Sequence, residues 1–226
     1  MAALAPADLA LLTPHFREVE LTARELLHET QDEIEHVHFL HSGMVSLLTL
    51  TDDGEAIETA AVGAEGAVGA VAGLGMRRAF SRAVVQVPGI ASRITASQFQ
   101  KAVTDSNGLR DLIVRHQEAL LMQAQQTAAC SALHGVEARL ARWLLQTQDR
   151  TGNSAIPLIQ EFLAQVLGVR RTTINLVVRT LHQAGLIRYR RGQIEILDRA
   201  GLKNESCACY QLIRRQVDQI LPPDKS

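Results

Sequence analysis

The apolar pattern changes period several times along the chain. It opens on a short helix pattern, with Pro6 in the first turn and Leu4, Leu9 and Leu12 on one side. Short apolar runs with turn residues between them follow: Met44 to Thr51, Ala56 to Val62 and Ala83 to Val87. Eight of the fifteen glycines lie between Gly43 and Ser92. Asp53-Gly54 separates the first two runs as a hairpin turn does. These features predict a turn-rich β-domain, a barrel or sandwich.

Helical periodicity returns at Thr95, where Gln98 three residues on completes a capping signature. A longer helix is predicted from about Ser106 to Ser131. Along it Leu109, Leu112, Ile113, Ala119, Leu120 and Leu133 recur at helical steps, interrupted by His116, Gln123 and Gln126. Such a stripe serves either a partner helix in a dimer or the helix's own domain. The expected dimer seam is Leu109, Leu112, Ile113, His116 and Leu120. Near His134-Gly135 a boundary is expected, then a helix with Val136, Leu140, Trp143 and Leu144 on one face, ending near Arg150. Three units follow: 1–104, 105–133 and 134–226.

The segment Leu158 to Leu197 carries the most specific pattern. Ala164 is small, Gly168 follows four residues later, and Ile174 and Val177 are apolar beyond it. Two short helices that cross steeply need a small residue at their contact, a turn residue that accepts positive φ, and apolar anchors under the second helix. The outer face of that second helix then holds Arg170, Arg171, Thr172, Thr173, Asn175 and Arg179. Arginine can pair bidentately with guanine, threonine can meet a thymine methyl or phosphate, and asparagine can read adenine. Leu186 to Arg190 and Gln193 to Leu197 alternate like strands around Arg191-Gly192. This hairpin wing would present Arg190 and Arg191 to phosphate.

Charge sharpens this picture. Residues 1–133 hold 9 basic and 16 acidic side chains, a balance of −7, whereas residues 134–226 hold 14 and 8, a balance of +6. Between Phe162 and Ile194 there are six arginines and no Asp or Glu. A window of one sign suits a polyphosphate partner, double-stranded DNA above all. The apolar runs are too short for a membrane span, and the N-terminus lacks the pattern of a secretory signal, so a cytoplasmic location is expected.

Three stretches resemble the Crp/Fnr superfamily of bacterial transcription regulators. They are HFLHSGMVSLLTLTDDGEAIETAAVGAEGAVG, VEARLARWLL and FLAQVLGVRRTTINLVVRTLHQAGLIRYRRGQIEI. The resemblance implies an α+β chain with an N-terminal β-roll (a cyclic-nucleotide-binding-like jelly roll), a long dimerisation helix and a C-terminal winged helix-turn-helix. It further implies a homodimer that regulates transcription, with RNA polymerase as a second partner. Arg171 stands where family members place a guanine-reading arginine, while Thr172 and Leu176 replace the acidic residue and the second arginine that often follow. Members that bind cyclic AMP need a Gly-Glu pair for the ribose and a later arginine for the phosphate. Here Gly69 is followed by Ala70 in an apolar stretch, with Arg82 near the phosphate position. An apolar pocket cannot satisfy a ribose hydroxyl, so this pocket of Gly69, Ala70 and Arg82 is expected not to take cyclic AMP. The alternative is gating by a cyclic nucleotide or another small ligand in that same pocket.

Other chemistry is thin at the level of sequence. No cysteine precedes Cys130, which excludes the family's N-terminal iron–sulfur cluster. Cys130, Cys207 and Cys209 read as reduced thiols, the last two as a helix-buried pair. His36, His38 and His41 read as half-exposed strand histidines without accompanying acidic or sulfur ligands, so neither a metal nor a cofactor is expected. No phosphate-binding glycine loop, nucleophile elbow or zinc-protease motif occurs, which argues against an enzyme.

Overall fold

The computed structural model describes residues 5–221, so Leu4 lies outside the described residues. Helix α1 (Pro6–Leu12) leads into eight strands: β1 (Arg17–Leu21), β2 (Leu26–His28), β3 (His36–Leu40), β4 (Met44–Leu50), β5 (Ala56–Val62), β6 (Ala67–Val68), β7 (Arg82–Val87) and β8 (Gly89–Thr95). They form two four-stranded antiparallel sheets, ordered β1-β8-β3-β6 and β2-β7-β4-β5. The β4–β5 hairpin turns through Gly54, at φ +86°. A short 3-10 helix, Ala70–Leu74, links β6 to β7.

Six longer helices, one short one and a small sheet complete the described residues: α2 (Ala96–Asp105), α3 (Asn107–Leu133), α4 (Val136–Thr151), β9 (Ala155–Pro157), α5 (Gln160–Leu167), α6 (Arg171–Gln183), β10 (Ile187–Arg190), β11 (Gln193–Ile196), and the short α7 (Arg199–Glu205) before α8 (Cys209–Ile220). Thr95 caps α2 by accepting from the Gln98 N–H, and Ser106 caps α3 by accepting from the Leu109 N–H at 3.1 Å. Strands β10, β11 and β9 form an antiparallel sheet beside α6.

Burial corrects the expected seam on α3. Leu109, Ile113 and His116 are buried in their own protomer, with Leu109 and Ile113 in a core that also holds Leu12, Ile34, Phe99 and Val103. His116 accepts a hydrogen bond at Nε2 from the Ala67 N–H at 3.3 Å, so it satisfies a backbone donor of the β-roll. Leu112 is half-buried, and half-buried Leu120 packs against the β-roll core cluster that contains Val45, Val62 and Val68. Leu109, Ile113 and His116 are thus consumed within one chain, while Leu112 and Leu120 keep part of their surface. The outward apolar positions of α3 are Val114, Leu121 and Leu133, exposed to 41%, 59% and 77%.

The cysteines are free and buried as expected, but Cys207 is not on a helix. Cys207 lies in the link after α7 and Cys209 opens α8, and both are buried beside Cys130 of α3. On β3, His38 is buried and its imidazole is held down to about 4 by desolvation, while His41 lies beyond the strand against the Ser92 hydroxyl at 2.8 Å. The two therefore serve separate environments.

The β-roll and the C-terminal part share a continuous core. Met44, Ala61 and Val87 join Leu140, Trp143, Leu163 and Ile174 in one cluster. At its edge the Trp143 indole N–H donates to Glu58 at 2.9 Å, and the Ser46 hydroxyl donates to the other oxygen of the same carboxyl. Burial pushes the Glu58 carboxyl above the usual range, against the pull of those two donors.

Candidate nucleic-acid interface

Helix α5 ends at Gly168, whose φ of +59° and ψ of 44° lie in the left-handed region. A Cβ there would also stand 2.9 Å from the Ile57 side chain, so glycine serves both the turn and the close approach to β5. The chain then enters α6 at Arg170. Ile174, Val177, Val178 and Leu181 bury one face of α6, and Arg171, Thr172, Asn175, Leu176 and Arg179 stand on the exposed face. Spacing of three and four residues makes that second face continuous. Thr173 is half-buried at its margin.

Among the described residues no side chain caps α6, so its first-turn N–H groups and the positive end of its dipole are left for an anion. Among the described residues, Arg170, Arg171, Arg179, Arg190 and Arg191 make no ion pair. Arg188 differs, because its guanidinium is matched across the hairpin by Glu195 at 2.9 Å. Arg191 and Gly192 both take positive φ, +48° and +78°, the geometry of a tight hairpin turn that holds Arg190 and Arg191 at the tip. In the sequence pattern Leu176 marks only the loss of an arginine. It is 66% exposed in the middle of the outer face, where an apolar side chain can meet a thymine methyl.

The expected effector residues are not brought together. Ala70 is buried in the core under α2 and α3, and a Cβ on Gly69 would meet the His36 carbonyl at 2.9 Å. Arg82 begins β7 in the other sheet, where it makes a bidentate pair with Glu29 at 2.7–3.1 Å. That hydrogen-bonded pairing holds the Glu29 carboxyl below its usual range.

A β-roll joined through a long helix to a winged helix-turn-helix defines a two-domain regulator of transcription. A cyclic nucleotide-binding domain model matches residues 18–106, and a Crp-like helix-turn-helix domain model matches residues 138–205, together more than half of the chain. The structure of FixK2 from Bradyrhizobium japonicum is similar at a TM-score of 0.70 and 18% identity, covering 85% of this chain and 98% of that one. A putative Crp/Fnr-family regulator from Eubacterium rectale gives 0.70 and 19%, covering 89% and 94%. The c-di-GMP responsive regulator CLP of Xanthomonas campestris gives 0.68 and 16%, covering 85% and 99%. No curated protein gives a significant sequence match. The chain belongs to the Crp/Fnr superfamily of transcription regulators. Among the described residues, no helix is long and apolar enough to cross a membrane.

Proposed function

We propose that this regulator binds double-stranded DNA sequence-specifically as a homodimer, with α6 in the major groove and the β10–β11 turn on the phosphate backbone. The observation that carries this reading is the exposed set of Arg170, Arg171, Arg179, Arg190 and Arg191, without ion-pair partners among the described residues, on the two elements that such a domain presents to DNA. Arg171, Asn175 and Leu176 read bases; Arg170, Thr172, Thr173, Arg179, Arg190 and Arg191 contact the backbone or flanking base edges. Dimerisation uses the outward stripe of α3, where Val114, Leu121 and Ala128 are exposed at steps of seven residues. A chain so equipped acts in the cytoplasm, catalyses no reaction, and meets RNA polymerase at its promoters. Its effector domain does not take cyclic AMP, because Arg82 is already paired and Ala70 supplies no carboxylate.

Selection of bound duplexes from random DNA tests the proposal. The expected product is a palindrome whose half-sites lie roughly 10–10.5 bp apart, bound with an affinity that falls steeply with salt. Absence of enrichment together with salt-insensitive binding would point instead to a signalling adaptor.

A further inference from the structure

A second cluster of chemically reactive side chains lies away from the DNA-reading face. Cys130 sits near the end of α3, and His134 follows one helical turn later in the link to α4. Cys207 and Cys209 return to the same place from the far end of the C-terminal part. The four candidate donor atoms all lie within 4.8 Å of one another. The Cys130 and Cys207 sulfurs are 3.5 Å apart, and the Cys209 sulfur is 3.6 Å from His134 Nδ1. A tetrahedral ion with metal–sulfur bonds of about 2.3 Å and a metal–nitrogen bond of about 2.0 Å spaces its ligands by roughly 3.8 Å between sulfurs and roughly 3.6 Å from sulfur to nitrogen. The cluster already has nearly those dimensions.

Its surroundings favour thiolates over an apolar filling. Arg139 and Arg142 are buried beside it, 6% and 5% exposed, and among the described residues neither forms an ion pair with a carboxylate. Each also leaves its Nε without a hydrogen-bond partner. Two buried cations need nearby negative charge, and three thiolates with a divalent ion carry a net charge of −1. The Gln126 side-chain amide donates to the Cys209 sulfur at 3.0 Å, the outer-sphere support that metal-bound thiolates receive. A disulfide would use two of the three sulfurs and leave the third cysteine and His134 without a role.

We propose that Cys130, His134, Cys207 and Cys209 form a tetrahedral site for a thiophilic divalent cation of the zinc class, tying the end of α3 to the start of α8. Three sulfurs and one imidazole make a closed coordination shell, which suits a structural ion and leaves no position for substrate. Binding releases to solvent the protons of whichever thiols are still protonated. The ion closes a loop that contains all of α4 to α7, and His134 lies in the hinge between the two long helices. Occupancy therefore sets how firmly the DNA-reading part is held against α3. That last consequence rests on the proposed DNA function, but the site itself does not.

The test uses the full chain, reduced, stripped of metal with a chelator and handled without oxygen. Titration with cobalt(II) should saturate at one ion per chain, with the intense visible bands of tetrahedral thiolate coordination, and zinc(II) should displace it. Cys207→Ser and Cys209→Ser should each weaken cobalt binding by more than the roughly 10–100-fold expected of an outer-sphere change. Should those variants fold poorly, the wild-type chain alone decides: zinc(II) should raise the melting temperature of the stripped protein and chelator should reverse the rise. No cobalt uptake by the reduced wild-type chain overturns the proposal. So does an octahedral spectrum that both substitutions leave unchanged, or formation of a Cys130–Cys207 disulfide in a chain that takes no metal. A chain that binds DNA but not cobalt fails this inference alone, and one that binds cobalt but not DNA fails only the proposed function.

Discussion

Family resemblance assigns both Arg171 and Arg82 to contact with a ligand, Arg171 to a guanine edge and Arg82 near a cyclic phosphate, and the structure treats them in opposite ways. Arg171 stands exposed at the start of α6 with no ion-pair partner among the described residues, whereas Arg82 is locked to Glu29. The same contrast separates neighbours on α3, since Leu120 packs on the β-roll while Leu121 is 59% exposed. A side chain whose charge or surface is satisfied inside the protomer has little left to give a partner. One that faces only water exchanges that water for a partner's groups and breaks no contact within the protomer.

The largest test of this contrast is on α3. Leu121→Glu should convert dimers to monomers by sedimentation and lower operator affinity by roughly 10²–10⁴-fold through lost avidity. Leu120→Glu should instead lower the melting temperature, because it buries a charge against Val45 and Val62. If Leu121→Glu stays dimeric, the seam lies elsewhere. Next in size is Arg171→Ala, which should cost about 1–3 kcal/mol per half-site and relax preference at one base pair. Equal losses on operator and random DNA would make Arg171 a backbone contact.

Acid provides a test of the inward-facing class. His116 is held down to about 4 by burial, so it is uncharged when folded and takes up a proton on unfolding below its ordinary value of 6.5. The unfolded chain then binds more protons, and stability must fall as pH drops from 6.5 toward 4. The loss from this residue approaches about 3 kcal/mol. His116→Gln, which keeps an acceptor for the Ala67 N–H, should flatten that part of the pH profile of the urea midpoint. An unchanged profile would show that His116 takes up its proton equally well in the folded and unfolded chain.

Two smaller effects complete the comparison. Arg191→Ala at the wing tip should weaken all DNA sequences about equally and reduce the salt slope by about one. A selective loss on operator would make the wing a base reader. Arg82→Ala should cost no more than about 1 kcal/mol, because its pair with Glu29 is about a third exposed. Millimolar cyclic AMP should leave the wild-type melting temperature unchanged, and a dose-dependent rise would return Arg82 to phosphate binding.

The DNA-reading unit was legible because its determinants are local. Ala164, Gly168, Ile174, Val177 and the Arg191-Gly192 turn fall within a few dozen residues, and steric and helical-period rules act at that range. The hairpin at Gly54 and the cap at Thr95 were readable for the same reason. Strand β1, reading REVEL, carries too weak an alternation to announce itself and is specified by its pairing with β8 some seventy residues away. Helix α3 bears apolar residues on two stripes, and periodicity alone cannot say which one turns inward. Only the position of the β-roll decided that, by placing Val45, Val62 and the Ala67 N–H against Leu120 and His116. Likewise the partner of Arg82 lies 53 residues away, and Cys130 meets Cys207 across 77. Sequence determined the local geometry and the sign of the charge. Which groups are satisfied and which remain free was decided by tertiary structure, because satisfaction depends on partners that distance along the chain conceals.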